Sequence, residues 1–339
     1  MSLPPFQLLR PRSLDEAVAQ LAARGPDAML VAGGTDVVPN LRAGLFTPRA
    51  VVDLKGLRDL RGIRFDAARG LELGALTTLT AVAESPVIRA HYPVLAEAAA
   101  TVASPVLRNM GTLVGNLCLE TRCLWYNQSY VWRKALGFCL KKDGAICHVA
   151  PGGQRCWAVW SGDTAAALLA LDAEIEITSP RGARRLPLTE FYKNDGMDRL
   201  RLARDEILSR VFIPARMAGY RGSYQKLRLR NSIDYPLAGV AVALKLEDGV
   251  CRDARLGLTA VNPAPMLVTE VNELLRGQRY SPEAVEAAAQ AVIRTGKPLK
   301  TSVSTPEYRR EMLRVFTRRA LTKLLTSNSP RQAPGGSAA

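Results

Sequence analysis

The sequence predicts an α+β protein of more than one domain, and three observations predict it. Short apolar strand runs alternate with stretches of helical spacing through the first two-thirds of the chain. Two long apolar strand runs joined by a turn are then followed by two helices. Finally, 339 residues that are 47% hydrophobic and 23% charged suffice for two or three domains of roughly 100–150 residues with their own cores, a composition of folded rather than disordered chains.

The elements follow in order. Ser13-Leu14-Asp15-Glu16 reads as a capping box, with Leu14, Ala17, Val18 and Leu21 at helical spacing behind it and a helix end near Gly25. Met29 to Ala32 is a short apolar strand that breaks into Gly33-Gly34-Thr35-Asp36, and Ala50 to Leu54 is a second one. From Gly56 to about Pro214, strands at Leu71 to Gly74 and Glu174 to Thr178 mix with helices at Leu79 to Glu84, Val94 to Val102 and Thr164 to Leu171. The stretch 118–157 interrupts this body. It has no clear periodicity, lies among four tryptophans (Trp125, Trp132, Trp157, Trp160), and reads as an insertion ordered by something other than an apolar core. Beyond Pro214, Gly239 to Leu246 and Ala254 to Val261 are strands joined by the Glu247-Asp248-Gly249 turn. One helix starts after Ser281; another runs from Pro306 to about Leu325, with Tyr308, Met312, Val315 and Leu324 as its apolar stripe. The last residues, SNSPRQAPGGSAA, are small and polar and read as a disordered tail. There is no internal repeat.

Charge and composition exclude several classes. The net charge of +15 would suit a nucleic-acid binder, but the basic residues are spread along the chain with no aromatic-interleaved patch, so an acidic partner protein or a phosphate-bearing ligand accounts for it equally well. No window approaches 18 uninterrupted apolar residues, and the N-terminus has no apolar stretch behind a basic start. The chain is therefore expected neither to span a membrane nor to be exported by that route.

Three constellations carry chemistry. Gly33-Gly34 after a buried strand lets backbone N–H groups approach an anionic ligand, with Thr35 and Asp36 adding a hydroxyl and a ribose-type acceptor. A second glycine loop, Asn109 to Asn116, offers Gly111, Thr112, Gly115 and Asn116. Either loop alone is an ordinary turn; together they fit one extended dinucleotide held from both sides. The third is Cys123-x15-Cys139-x7-Cys147-x8-Cys156. Four thiolates can ligate a 4Fe–4S cluster or a tetrahedral zinc, and the absence of CxxC knuckles favours the cluster. Cys118 and Cys251 read as buried apolar thiols. His91 and His148 are too few and too isolated for a Ser/His/Asp triad, and no paired-acid site is found.

The order LVAGGTD, GALTT (Gly74 to Thr78), RNMGTLVGNL, SGDTAAALLALDA (Ser161 to Ala173) and YQKLRLRNSIDYPLAGVAVAL (Tyr224 to Leu244) resembles the FAD-binding medium subunits of the xanthine dehydrogenase and CO dehydrogenase family of molybdenum enzymes, over nearly the whole chain. Within that family, the cysteine-bearing insertion resembles the 4-hydroxybenzoyl-CoA reductase branch, whose medium subunit carries an extra 4Fe–4S cluster.

The resemblance implies a two-subdomain FAD-binding fold of the vanillyl-alcohol oxidase / PCMH type plus a C-terminal α+β domain with an antiparallel sheet of three or more strands. Residues 1–56 would be the first FAD-binding subdomain and 57–216 the second, with the Fe–S insertion at about 118–157. Residues 217–326 would be the C-terminal flavoprotein domain and 327–339 the tail. Ala32, Gly33, Gly34, Thr35 and Asp36 would wrap the FAD pyrophosphate, and Thr112, Gly115 and Asn116 would form the second flavin loop. Asp163 would contact the adenosine portion, Leu208 would lie against the flavin or adenine, and Lys226 would lie near the flavin. Cys123, Cys139, Cys147 and Cys156 would hold the cluster. The run Cys118-Leu119-Glu120-Thr121-Arg122 departs from the small, Asp-rich run of many relatives.

By the same resemblance, this is a cytoplasmic electron-transfer subunit with no catalytic residues of its own. Electrons would pass from a ferredoxin-like donor to the 4Fe–4S cluster, to FAD, then to 2Fe–2S clusters on a small subunit and molybdenum on a large one. The assembly would be a dimer of heterotrimers serving the anaerobic reductive dehydroxylation of an aromatic acyl-CoA. The alternative is the FAD subunit of a molybdenum hydroxylase that passes electrons out to an acceptor. A third reading, a non-enzymatic zinc- or nucleic-acid-binding protein, rests on the cysteines and the charge.

Overall fold

The structure is a computed structural model and describes residues 3–279 and 281–326; the tail expected from composition lies outside the described residues. The helix Leu14–Arg24 starts where Ser13 accepts a hydrogen bond from the Glu16 amide, and stops at Gly25, whose φ is +51°. Only half of the capping box forms, because the Glu16 carboxylate takes the Arg12 amide rather than that of Ser13. Around this helix lies a small parallel sheet in the order β1 (Gln7–Leu9), β3 (Ala50–Asp53), β2 (Ala28–Val31). Its core is Ala17, Val18, Leu21, Val52 and their neighbours.

The second sheet is antiparallel, in the order β4 (Ile63–Asp66), β5 (Gly70–Gly74), β8 (Ile207–Pro214), β6 (Glu174–Ser179), β7 (Gly182–Pro187). Helices Leu79–Glu84, Pro93–Thr101 and Asp163–Ala170 pack with it into the largest core. Every residue of Asp163–Ala170 is buried, so its alanine-rich sequence lets backbones approach closely. Gly257 lies flush on it, since a Cβ there would sit 2.1 Å from the Ala166 carbonyl oxygen. Trp160 belongs to this body rather than to the insertion: it is fully buried and stacks edge-on with Tyr192 at 4.7 Å.

The C-terminal sheet runs β12 (Met266–Leu267), β11 (Val250–Thr259), β10 (Ala238–Glu247), β9 (Arg221–Leu227), all antiparallel. The expected turn is there, with Asp248 and Gly249 at φ +52° and +76°, as a two-residue hairpin demands. The second strand begins at Val250 rather than Ala254, because Val250, Cys251 and polar Asp253 belong to the ladder and Arg252 is the residue bulged out at the register shift between Lys245 and Leu246.

Helices Pro282–Thr295 and Pro306–Thr326 cover this sheet. The long helix meets the predicted stripe only in part: Leu324 is buried and Met312 and Val315 pack partly buried against the core, but Tyr308 is exposed, and Leu313, Phe316, Ala320 and Leu321 form the centre of the inward face. Polar Arg309 and Thr317 occupy core-facing positions and disguise the pattern. Arg309 is fully buried and donates to the carbonyls of Leu237, Leu299 and Ala260 and to the Thr301 hydroxyl. No described helix is long and apolar enough to cross a membrane.

Residues 118–157 contain one short helix, Tyr130–Ala135, capped by Ser129; the remainder is turns and short bridges. Its own cluster of buried residues is small and rich in sulfur: Cys123, Cys139 and Cys156 with Leu45, Tyr126 and Ala158.

Candidate functional site: a cleft between two glycine loops and a four-cysteine cavity

A cleft of about 530 Å³ opens where the small parallel sheet meets the larger body, a size typical of cofactor sites. Of the eleven residues assigned to a dinucleotide from sequence, ten line it: Ala32, Gly33, Gly34, Thr35, Asp36, Thr112, Gly115, Asn116, Asp163 and Leu208. Lys226 stands behind the wall. Its ammonium donates to the Asp163 carboxylate at 3.1 Å and to the Thr101 and Asp234 carbonyls, and both Asp163 and Asp234 line the cleft.

Local chemistry places these groups. β2 ends at Val31, and the chain turns through Gly34 at φ +78°, a conformation that suits glycine. Gly33 is needed for a different reason, since a Cβ there would lie 2.0 Å from the Met110 carbonyl oxygen; its missing side chain lets the second loop sit directly on the first. That second loop is pinned at both ends by Leu79 N–H to Gly111 O and Leu113 N–H to Thr77 O. Thr112 caps the following turn by accepting from the Gly115 amide. Asn116 Oδ1 accepts from both the amide and the hydroxyl of Thr164, locking the loop to the buried helix. Asp163 heads that helix and accepts from Tyr224 OH at 2.7 Å. Burial pushes its carboxyl above the usual range, and Lys226 and Tyr224 pull it back in part.

The donor set fits FAD: two facing glycine loops suit a pyrophosphate, apolar side chains such as Leu76, Leu79 and Leu208 supply surface for flat rings, and Asp36 and Asp163 supply acceptors. The sequence pattern does not reveal the far wall. Tyr235 donates its hydroxyl to Asp36 Oδ1 at 3.0 Å, and the Arg122 guanidinium lies 4.3 Å over the Tyr235 ring. Burial, then Asp36, raises the Tyr235 hydroxyl above its ordinary value. The signal for Tyr235 in the sequence is its place in the run Ser232 to Pro236, inside the stretch Tyr224 to Leu244 that carries the resemblance; in the structure that run turns at Ile233, whose φ is +51°.

A second, small cavity is lined by all four predicted ligands, Cys123, Cys139, Cys147 and Cys156, together with Trp125, Tyr126, Lys141 and His148. The four thiols are buried and free. Residues of positive φ, Gly137, Phe138 and Asp143, wind the chain tightly around Cys139. Gly196 packs against Cys156, since a Cβ would come within 2.6 Å of its sulfur. Burial pushes the Cys123 thiol up to about 12 and the Cys156 thiol up to about 11; a thiophilic metal would have to displace those protons. The indole N–H of Trp125, a residue of the same lining, is buried without a partner. Among the described residues, no group of three or more His, Cys, Asp or Glu side chains is drawn tightly enough to hold a metal ion, so the thiols share a cavity without closing on a point. Four soft thiols are the donor type that an iron–sulfur cluster takes, and the Trp125 N–H is an unpartnered donor in the same lining.

The odd run 118–122 is the wall between the two cavities. Cys118, Leu119 and Arg122 line the flavin cleft, and Cys123, the next residue, lines the cysteine cavity. Cys118 thus faces the cleft and not the other four cysteines; burial pushes its thiol up to about 12. Cys251 is buried in the C-terminal core.

Residues 4–216 match the family described as FAD binding domain in molybdopterin dehydrogenase, and residues 222–324 match the CO dehydrogenase flavoprotein C-terminal domain. The chain is 30% identical to the carbon monoxide dehydrogenase medium chain of Afipia carboxidovorans, over 94% of this chain and 96% of that protein. It is 27% identical to the xanthine dehydrogenase FAD-binding subunit of Escherichia coli O157:H7, over 94% and 95%. Among solved structures, carbon monoxide dehydrogenase from Hydrogenophaga pseudoflava superposes with a TM-score of 0.79 at 28% identity, over 96% of this chain and 99% of that one. Quinoline 2-oxidoreductase from Pseudomonas putida 86 gives 0.76 at 25% identity, over 96% and 99%. With its glycine-loop cleft and its two-part architecture, this chain belongs to the family of FAD-binding medium subunits of the molybdenum hydroxylases.

Proposed function

We propose that this chain is the electron-transfer subunit of a heterotrimeric molybdenum enzyme, carrying FAD in the cleft and a 4Fe–4S cluster in the cysteine cavity, with 2Fe–2S clusters and molybdenum on partner subunits. The observation that carries the second cofactor is the convergence of four buried, unpaired cysteines from four separate points of the sequence on one cavity, one residue from the flavin wall. When bound, FAD exchanges electrons singly or in pairs while an iron–sulfur cluster exchanges them singly, so the two together form a relay. The glycine loops at 33–34 and 111–115 would hold the pyrophosphate, Asp163 and Asp36 would fix the polar ends, and the apolar floor would exclude water from the rings.

An added single-electron station next to the flavin suits delivery of low-potential electrons, so the direction we propose is reductive: from a ferredoxin-type donor toward a partner subunit that dehydroxylates an aromatic acyl-CoA of the 4-hydroxybenzoyl-CoA kind. The second reading, an oxidative hydroxylase that passes electrons outward, is favoured by the relatives named carbon monoxide and xanthine dehydrogenases. Stopped-flow on the purified complex separates them. In the reductive reading, the pre-reduced flavin reoxidises when 4-hydroxybenzoyl-CoA is added. Failure of that aryl-CoA to reoxidise it, with bleaching of the oxidised flavin by a xanthine- or CO-type substrate, would replace it with the oxidative one.

A further inference from the structure

The wall between the two cavities holds a buried ion pair that the relay itself does not require. Lys141 lines the cysteine cavity, and its side chain is only 6% exposed. Its ammonium donates to the Glu120 carboxylate, the Thr121 hydroxyl and, at 2.6 Å, the Gly196 carbonyl, the glycine that packs on Cys156. It also lies 4.6 Å over the Tyr126 ring. Glu120 is equally buried; its carboxylate also faces Arg199 at 3.6 Å, and its amide donates to Asp36 in the flavin loop. Burying two charges is costly unless each is paired and hydrogen-bonded, and here the pair is satisfied by Thr121, Gly196 and Arg199, next to the run that separates the two cavities.

We propose that the Lys141–Glu120 pair sets the reduction potential of the four-cysteine centre, the ammonium favouring the reduced state and the carboxylate opposing it. This rests on the reading of that cavity as a cluster site. The step concerned is uptake of one electron from the low-potential donor: no bond forms or breaks, no proton moves, and the centre gains one negative charge. A cation fixed at the cavity wall, out of reach of solvent screening, stabilises that added charge. The carboxylate sits one group further out and destabilises it less. Arg199 pairs with the carboxylate and donates to the Cys118 and Leu119 carbonyls; it is not part of the cavity lining, so its main effect is to temper Glu120.

The test is a redox titration of the purified complex, followed by the electron paramagnetic resonance of the reduced cluster, with iron, sulfide and flavin measured on each variant. Lys141→Gln should lower the midpoint by the equivalent of about a tenfold change in the reduced-to-oxidised ratio, about 59 mV for one electron, and Glu120→Gln should raise it. Lys142→Gln removes a like charge one residue away, on a side chain paired with Asp143 and partly open to solvent, and should shift it far less. Unchanged midpoints, or shifts of the same sign for Lys141→Gln and Glu120→Gln with iron retained, would overturn the proposal. If Lys141→Gln loses its iron, Glu120→Gln decides: an upward shift supports the proposal, and no shift or a downward one overturns it. A native complex whose medium subunit holds no iron and no sulfide refutes the cluster itself, and this inference with it; a native cluster with unmoved potentials refutes this inference alone.

Discussion

The flavin cleft rests on the largest core of the molecule, between a buried helix and two sheets, and its loops are fixed by backbone hydrogen bonds and by glycines that allow chain to touch chain. The cysteine cavity stands on a handful of buried side chains, half of them thiols, within turns and one short helix. The cleft would keep its shape without its ligand. The cavity gathers four thiols with little apolar burial behind them, so its order should depend on metal–thiolate bonds.

The largest effect that would break this contrast concerns Gly33. Gly33→Val drives a side chain into the Met110 backbone, which cannot move aside as a flexible side chain could. It should destabilise the protein by about 3 kcal/mol or more and abolish flavin binding, as thermal unfolding and flavin content would read. Gly34→Val, at φ +78°, should cost about 1–3 kcal/mol through backbone strain and weaken flavin binding. Full flavin in a stable Gly33→Val protein would mean that the two loops do not depend on each other.

Next comes Cys156→Ser, which should remove most of the iron and increase amide exchange across 118–157 while flavin content stays near native. Loss of flavin along with the iron would show the two sites to be one unit.

Acid sharpens the comparison because the buried carboxylates at the two sites, Glu120 and Asp163, shift in opposite directions. Burial works against the charged form of Glu120, but Lys141 and Arg199 outweigh it and hold the group below its ordinary value of 4.5. Its contribution to stability is therefore present above about pH 4.5 and is lost as pH falls through the lower folded value. Asp163 is raised by burial despite Lys226. Its ionisation thus disfavours the fold at neutral pH, and acidification through its folded value relieves that strain. Hydrogen exchange between pH 6 and 3.5 should therefore loosen 118–157 before the loops at 32–36 and 111–116, and Glu120→Gln should flatten that response. Simultaneous loosening of both regions would contradict it.

The smallest effect should come from Cys251→Ser, in the apolar C-terminal core. A buried hydroxyl there costs about 1–2 kcal/mol, with iron and flavin both unchanged.

The parts of the sites legible in the sequence are local. A glycine pair after an apolar strand, a second glycine loop and four cysteines at wide spacing each announce their chemistry within a few residues. The hidden parts depend on distant partners. Tyr235 meets Asp36 across 199 positions and Lys141 meets Glu120 across 21, and neither pair leaves a periodic trace. In the run 118–122, Cys118, Leu119 and Arg122 line the cleft while Glu120 and Thr121 hold Lys141 of the neighbouring cavity, a division that no spacing in the run announces. In the C-terminal helix, Arg309 is polar yet core-facing, since carbonyls rather than a carboxylate satisfy it, and a search for an apolar stripe passes over such a residue.

The most direct measurement of the central claim is the iron, acid-labile sulfide, zinc and FAD content of the anaerobically purified chain, read with its visible spectrum. Two independent cofactor sites predict one FAD with about four irons and four sulfides per chain. One FAD with about one zinc and no sulfide would contradict the relay and leave the cysteine cavity a structural metal site.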